Sequence, residues 1–222
     1  MMFHFFNNKI NNNDVKTNEE LFYKKYGDCR KLPYHINLLV ITDTHGLLAY
    51  KKEEQEKLKN VGEYDLCCVL GDVTYSDYEI ILHYIKKDKI VALLGNHDGF
   101  DVLKYYGLED LNGKTINVNG IRIGGIQGSF RYKSEDFPSF THAESIKFLD
   151  KMEETDILLS HAGPYLNDNT DIVHNGLKGI TEYLYKNRVP YNIHGHNHVN
   201  KDLCLKNGTR VIERYFIEKI HI

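Results

Sequence analysis

The chain has 222 residues, 41% of them hydrophobic and 27% charged, with a formal net charge of -3 when histidine is neutral. That length fits one core and leaves no need for a second full domain, and the composition excludes a disordered chain. The acidic balance disfavours a surface built to neutralise duplex phosphates, so nucleic acid is an unlikely partner, and no apolar run approaches the ~18 residues of a membrane-spanning helix.

The N-terminus, MMFHFFNNKINNN, lacks both a basic segment ahead of a long apolar stretch and a small-residue cleavage site, which argues against a signal peptide. Residues 1–35 are Asn-rich and then weakly helical over residues 18–26, and they read as an extension preceding a single domain over residues 36–222. Among the four cysteines, Cys67 and Cys68 are adjacent in an apolar run. That placement suits buried thiols in a reducing compartment better than a disulfide frame, so a cytoplasmic location is expected.

From residue 36 onward the pattern sharpens. INLLVIT (36–42), DLCCVL (65–70), IVALL (90–94) and DILLS (156–160) are short, nearly continuous apolar runs, as strands buried on both faces require. Helical spacing over residues 51–61 and 77–87 separates the first three runs, the second with Ile81, Tyr84 and Ile85 on one face. The order βαβαβ predicts a parallel sheet covered by helices. After residue 110 hairpins take over: Asn119-Gly120 sits between alternating runs in TINVNGIRIGGI, and Asn207-Gly208 repeats the device in CLKNGTRVIE, each predicting a type I′ turn. Two further helices are predicted over residues 142–153 and 176–187. The expected class is α/β with a mixed or second sheet.

Polar chemistry collects where these strands stop. Asp43-Thr44-His45 follows the first run, Gly71-Asp72 the second, Gly95-Asn96-His97-Asp98 the third and His161-Ala162-Gly163-Pro164 the fourth. His194-Gly195-His196-Asn197-His198 follows VPYNI (189–193). Taken singly, Asp43 could cap a helix, Asp72 could serve a turn and His161 could be a bonded core histidine. Jointly, five strand ends carrying Asp, Asn or His point to one crevice outside the carboxyl edge of the sheet. Carboxylate, imidazole and amide oxygen without thiolate suit divalent Mn, Fe, Zn, Ni or Mg, and a pair of cations needs a bridging carboxylate, for which Asp72 is placed.

The set DTH, GD, GNHD, SHAGP and GHNH resembles the calcineurin-like metallophosphoesterases over residues 36 to about 200. The resemblance implies two packed mixed β-sheets flanked by helices, a four-layer sandwich, with two metal ions at the strand ends. It implies that Asp43, His45 and His198 hold the first ion, that Asn96, His161 and His196 hold the second, and that Asp72 bridges. His97 matches the family's non-ligand histidine, which touches the substrate phosphate and protonates the leaving oxygen, while His194 is left as a supporting residue. A water or hydroxide bridging the ions would attack phosphorus in line. Where the Ser/Thr protein phosphatases of the superfamily have GDxVDRG this chain has GDVTYSD, with Tyr75 in place of the second Asp and no following Arg, so that branch is disfavoured. Asp98 either orients His97 in its stead or is a solvated turn carboxylate.

Residues 128–142 offer Arg131, Lys133 and aromatics, suited to a phosphate with a stacked base or simply to solvent. His174, ahead of a helix start, either lines the pocket or does not reach it. The expected function is hydrolysis of small phosphodiesters, nucleotides or cyclic nucleotides among them, with manganese as the expected metal. The alternatives are a phosphomonoesterase, a nuclease of the same superfamily and a non-catalytic protein-binding scaffold.

Overall fold

The computed structural model describes Leu32 and residues 35–134, 136–166 and 171–222. The helical stretch expected over residues 18–26 lies outside them.

Two sheets form the centre. In chain order the first holds β1 (Asn37–Thr42), β2 (Leu66–Val69), β3 (Ile90–Ala92), β4 (Glu109–Asp110) and, returning from the C-terminus, β13 (Phe216–His221). Its strand order is β13-β1-β2-β3-β4, parallel from β1 to β4 and antiparallel between β1 and β13. The second sheet runs β11-β12-β10-β9-β6-β5, from β5 (Thr115–Val118), β6 (Ile121–Ile126), β9 (Ile157–Ser160), β10 (Tyr191–His194), β11 (Lys201–Cys204) and β12 (Arg210–Glu213). A short parallel pair, β7 (Ser129–Phe130) with β8 (Ser139–Phe140), stands apart.

Alternation along the apolar runs sorts the layers. Leu38, Val40, Cys68 and Leu70 of the first sheet meet Ile123, Ile157, Leu159 and Ile193 of the second in one buried cluster. The intervening Leu39, Ile41, Cys67 and Val69 turn outward onto helices α1 (Lys52–Lys59), α2 (Tyr75–Tyr84) and α3 (Val102–Tyr106), through Leu58, Tyr78, Ile81 and Val102. On the far side, Leu158 and Val211 pack on α4 (His142–Leu149) and α5 (Lys178–Lys186) through Leu149, Ile180 and Leu184. Four layers result, helix–sheet–sheet–helix, and both sheets are buried on two faces, which is why their strands read as continuous apolar runs. No helix among the described residues is long and apolar enough to cross a membrane.

The two predicted hairpins fare differently. Asn119 (φ 54°) and Gly120 (φ 86°) form the predicted left-handed pair between β5 and β6. At Asn207-Gly208 only the glycine is left-handed (φ 89°), and the Leu205 amide bonds the Thr209 carbonyl across a three-residue loop. Asn207 is held otherwise: its Nδ2 donates to the Leu184 carbonyl and its Oδ1 accepts from the Thr209 amide, so a turn followed by a left-handed glycine replaces type I′.

Candidate metal centre

The loops leaving β1, β2, β3, β9 and β10 meet at one edge. Backbone bonds join them: the Asp43 amide donates to Gly71 O, the His45 amide to Asp72 O and the Gly195 amide to His161 O. His194 ends β10, and beyond it His196 (φ 77°) and His198 (φ 56°) turn through left-handed backbone. The three histidines therefore share no strand face. Among the described residues eight non-glycines have positive φ, and five of them are Asp43, His45, Asp72, His196 and His198. Such backbone costs about 1–3 kcal/mol per residue and concentrates where geometry serves a site.

Asp43 is fully buried. Its Oδ2 accepts from Thr42 Oγ1 at 2.7 Å and from the His196 amide at 2.9 Å, whereas its Oδ1 is buried with no hydrogen-bond partner and lies 3.5 Å from His198 Nε2. His198 Nε2 is in turn 3.0 Å from His45 Nε2. Asp72, 2% exposed, accepts from the His97 amide with Oδ1 and points Oδ2 between two imidazoles, 3.6 Å from His45 Nε2 and 3.6 Å from His161 Nε2. Asn96 Oδ1 lies 3.0 Å from His161 Nε2. Ligand atoms about 2.0–2.2 Å from a cation are separated by roughly 3.0 Å in an octahedron and 3.4 Å in a tetrahedron, so these spacings fit a divalent ion. Two sets close within 4.8 Å: Asp43, His45 and His198, and Asp43, Asp72 and His161.

Outer partners fix which ring nitrogen faces inward. His161 Nδ1 bonds the Leu70 carbonyl, leaving Nε2 for the centre, and His196 Nε2 bonds the Val173 carbonyl, leaving Nδ1. The His196 ring centroid lies 4.9 Å from that of His161. Burial, with the His161 charge, lowers the His196 imidazole to about 3, and burial also lowers His45, so both are neutral donors near pH 7. Burial would raise Asp43, but the adjacent His198 imidazole, the His161 charge, Thr42 and the His196 amide outweigh it and hold the carboxyl at about 2. The adjacent Asp43 carboxylate raises His198; Asp72 and Asp43 raise His161 against its burial. A cation binding here competes with protons for that pair.

The model of the calcineurin-like phosphoesterases matches residues 36–200. The chain belongs to the calcineurin-like phosphoesterase family. No curated protein matches its sequence. Solved structures of similar fold include TT1561 of Thermus thermophilus, 12% identical over 82% of this chain and 90% of that one, with a TM-score of 0.59. Another is phosphopantetheinyl hydrolase from Mycobacterium tuberculosis, 11% identical over 81% and 89%, TM-score 0.54. A third is 5'-nucleotidase from Candida albicans, 14% identical over 84% of this chain and 46% of that one, TM-score 0.51. The likeness establishes the fold, and the family with its donor set supports a metal-dependent phosphoester hydrolase.

Two supports of this calcineurin-like phosphoesterase centre go beyond its donors. Asp77, fully buried, accepts from Thr44 Oγ1 at 2.7 Å and from the Gly46 and Leu48 amides, clamping the loop that carries His45. Its sequence signal was the Thr74-x-x-Asp77 capping box that opens α2. Asp98 neither orients His97 nor sits solvated in a turn: its carboxylate accepts from the Gly95, Asp72 and Val73 amides at 2.7–2.8 Å, tying the β2 and β3 loops together. Burial, with the Asp72 charge, pushes that carboxyl up to about 7.

The remaining predicted residues are spread around this centre. His97 is exposed, its ring edge-on to His45 at 5.4 Å. Arg131 follows β7, with its guanidinium held on Glu144 at 2.9 Å and on Ser139 Oγ and carbonyl. His174 bonds Asp171 at 2.6 Å and stands 5.4 Å, ring to ring, from His196. Residues 167–170 of its loop lie outside the described residues. His194 is buried, with Nδ1 on the Gly195 carbonyl.

Gly195 explains the spacing of the last histidines. A Cβ there would collide with Thr42 Oγ1 and Asp43 Oδ2. Gly195→Ala is expected to fold yet displace Asp43, lowering Mn²⁺ affinity by at least about tenfold in calorimetric titration; unchanged affinity would show the Asp43 position to be unimportant.

Proposed function

We propose that the chain is a dinuclear, metal-dependent phosphodiesterase acting on a small phosphorylated substrate, of the nucleotide or cyclic-nucleotide kind. The observation that carries this reading is Asp72 Oδ2, equally 3.6 Å from an imidazole nitrogen on either side, the place of a carboxylate shared by two cations. Asp43, His45 and His198 would hold the first ion, and Asn96, His161 and His196 the second. Manganese is the proposed resident, with Fe, Zn, Ni and Mg suited to the same donors. Bound there, two cations would supply an activated water and neutralise the charge growing on the phosphoryl oxygens.

The chain's own groups do the rest. Asn96, 6% exposed, and the partly exposed His45 ring border the place proposed for the phosphoryl group. His97, exposed at the rim, donates to a phosphoryl oxygen and passes a proton to the leaving oxygen. Arg131 and His174 are proposed to meet the rest of the substrate. The presence of a phosphopantetheinyl hydrolase and a 5'-nucleotidase among proteins of this fold is in keeping with a small phosphorylated substrate.

The test is the Mn²⁺-loaded protein on bis-p-nitrophenyl phosphate, p-nitrophenyl phosphate, 2′,3′- and 3′,5′-cyclic nucleotides and a polynucleotide. Faster turnover of the diester than of the monoester is expected. Monoester turnover alone would make it a phosphomonoesterase, and polynucleotide turnover alone a nuclease. Inertness with Mn, Fe, Zn, Ni and Mg would leave a protein-binding scaffold.

A further inference from the structure

Beside the metal centre opens a cavity of about 210 Å³. At about 30 Å³ per water it has the space of roughly seven waters, enough for one small ring system. His194, Asn197 and Glu213 line it together with His174 and Lys201. Glu213, the last residue of β12, is 7% exposed, and its Oε1 is buried with no hydrogen-bond partner. Burial pushes its carboxyl up to about 7. Asn197 Oδ1 is buried without a partner as well. His194 Nδ1 is taken by the Gly195 carbonyl, which leaves its Nε2 as an acceptor. One small cavity thus holds acceptors short of donors, whereas buried polar atoms in folded proteins are almost always paired.

The cations nearby do not resolve this. Lys201 faces Glu213 across the β11–β12 ladder, and its ammonium draws the carboxyl's titration down only in part, against burial. Arg214 places its guanidinium on Asp202 and on the Glu213 carbonyl. With Lys201 on the wall a cationic ligand would be repelled, and acceptors on the floor repel an anionic one. What fits is a neutral group with adjacent N–H donors.

We infer that this cavity binds the amino-bearing edge of a nucleobase, with Glu213 and Asn197 accepting from it, and that it selects adenine, cytosine or guanine over uracil. Carboxylates and side-chain amides make such pairs with exocyclic amino groups. The cavity adjoins the centre: His174 is on its wall and on the His196 ring, and Asn197 lies between His196 and His198 in the chain. A phosphate at the metals and a base here can therefore belong to one molecule, a role that rests on the phosphoesterase reading above.

Binding of free nucleosides separates the two ideas, since it needs no hydrolysis. Calorimetry of the Mn²⁺-loaded protein with adenosine, cytidine, guanosine and uridine should show at least one amino-bearing nucleoside binding about tenfold more tightly than uridine. Glu213→Met, which keeps the volume and removes both acceptor oxygens, should lose most of that preference. Leu203→Phe, filling the cavity from the neighbouring strand β11, should abolish binding and serves if Glu213→Met does not fold. Equal or absent binding of all four to the wild type would overturn the inference, showing a cavity that takes water alone, as would a full preference in a folded Glu213→Met. Turnover of bis-p-nitrophenyl phosphate by the same preparation tests the phosphoesterase reading separately: its loss with nucleoside preference intact would sink that reading and leave the base site standing.

Discussion

Asp72→Asn is expected to leave the fold intact and to lower both metal content and hydrolysis by more than about a hundredfold. The substitution keeps the side chain's shape and its acceptor for the His97 amide, but removes the one negative charge that lies between His45 and His161. Two divalent ions about 3.5–4 Å apart repel by on the order of 15–20 kcal/mol even at an effective dielectric near 20. Asp43 belongs to both close donor sets, but its Oδ2 is taken up by Thr42 Oγ1 and the His196 amide, so a neutral residue at position 72 removes most of the counter-charge between the ions. Elemental analysis after equilibration with Mn²⁺, alongside circular dichroism, reads the outcome. Two ions per chain and an unchanged rate in the folded variant would remove the bridging role.

His97→Ala should do the opposite to the metals and much the same to the rate. Its side chain is exposed and contacts the cluster only edge-on through His45, while the bond that matters for loop geometry comes from its backbone amide to Asp72. Removing the imidazole therefore leaves the donors where they are. Loss of a positioned general acid lowers turnover by about 10²–10⁴-fold, and the loss should shrink for a substrate whose leaving group is a good one, such as p-nitrophenolate, because less proton transfer is then needed. A fall in metal content instead would place His97 among the ligands.

How much of this could be read from the sequence follows from where each signal resides. Strands buried on both faces announce themselves by composition, and the ligand-type residues stand directly after them, so the crevice at residues 43–45, 71–72, 95–98, 161 and 194–198 was legible before any fold was known. The strand β13 was not. Its residues 216–221 mix Phe, Glu, Lys and His without clean alternation, and it exists because β1, some 180 positions earlier in the chain, offers it an edge with Asn37 opposite His221. Asp77 was hidden and the role of Asp98 was not legible for another reason: a carboxylate that gathers backbone amides looks, in a string of letters, like any cap or turn residue. Glu213 was hidden too, since a polar residue at a strand end normally meets water, and only the packing of β12 between β10 and β11 buries it.

The left-handed conformations at Asp43, His45, Asp72, His196 and His198 were beyond sequence reasoning altogether, because non-glycine residues adopt them only when neighbouring loops enforce it. In this chain the enforcement is visible: Asp77 holds the first loop, Asp98 joins the second to the third, and Gly195 lets the last pass against Thr42 and Asp43.

Anomalous diffraction from crystals equilibrated with Mn²⁺ tests the dinuclear claim most directly. Two peaks are predicted, about 3.5–4 Å apart, one among Asp43, His45 and His198 and one among Asn96, His161 and His196, with Asp72 between them. A single peak at saturating Mn²⁺, or none in that crevice, would contradict it.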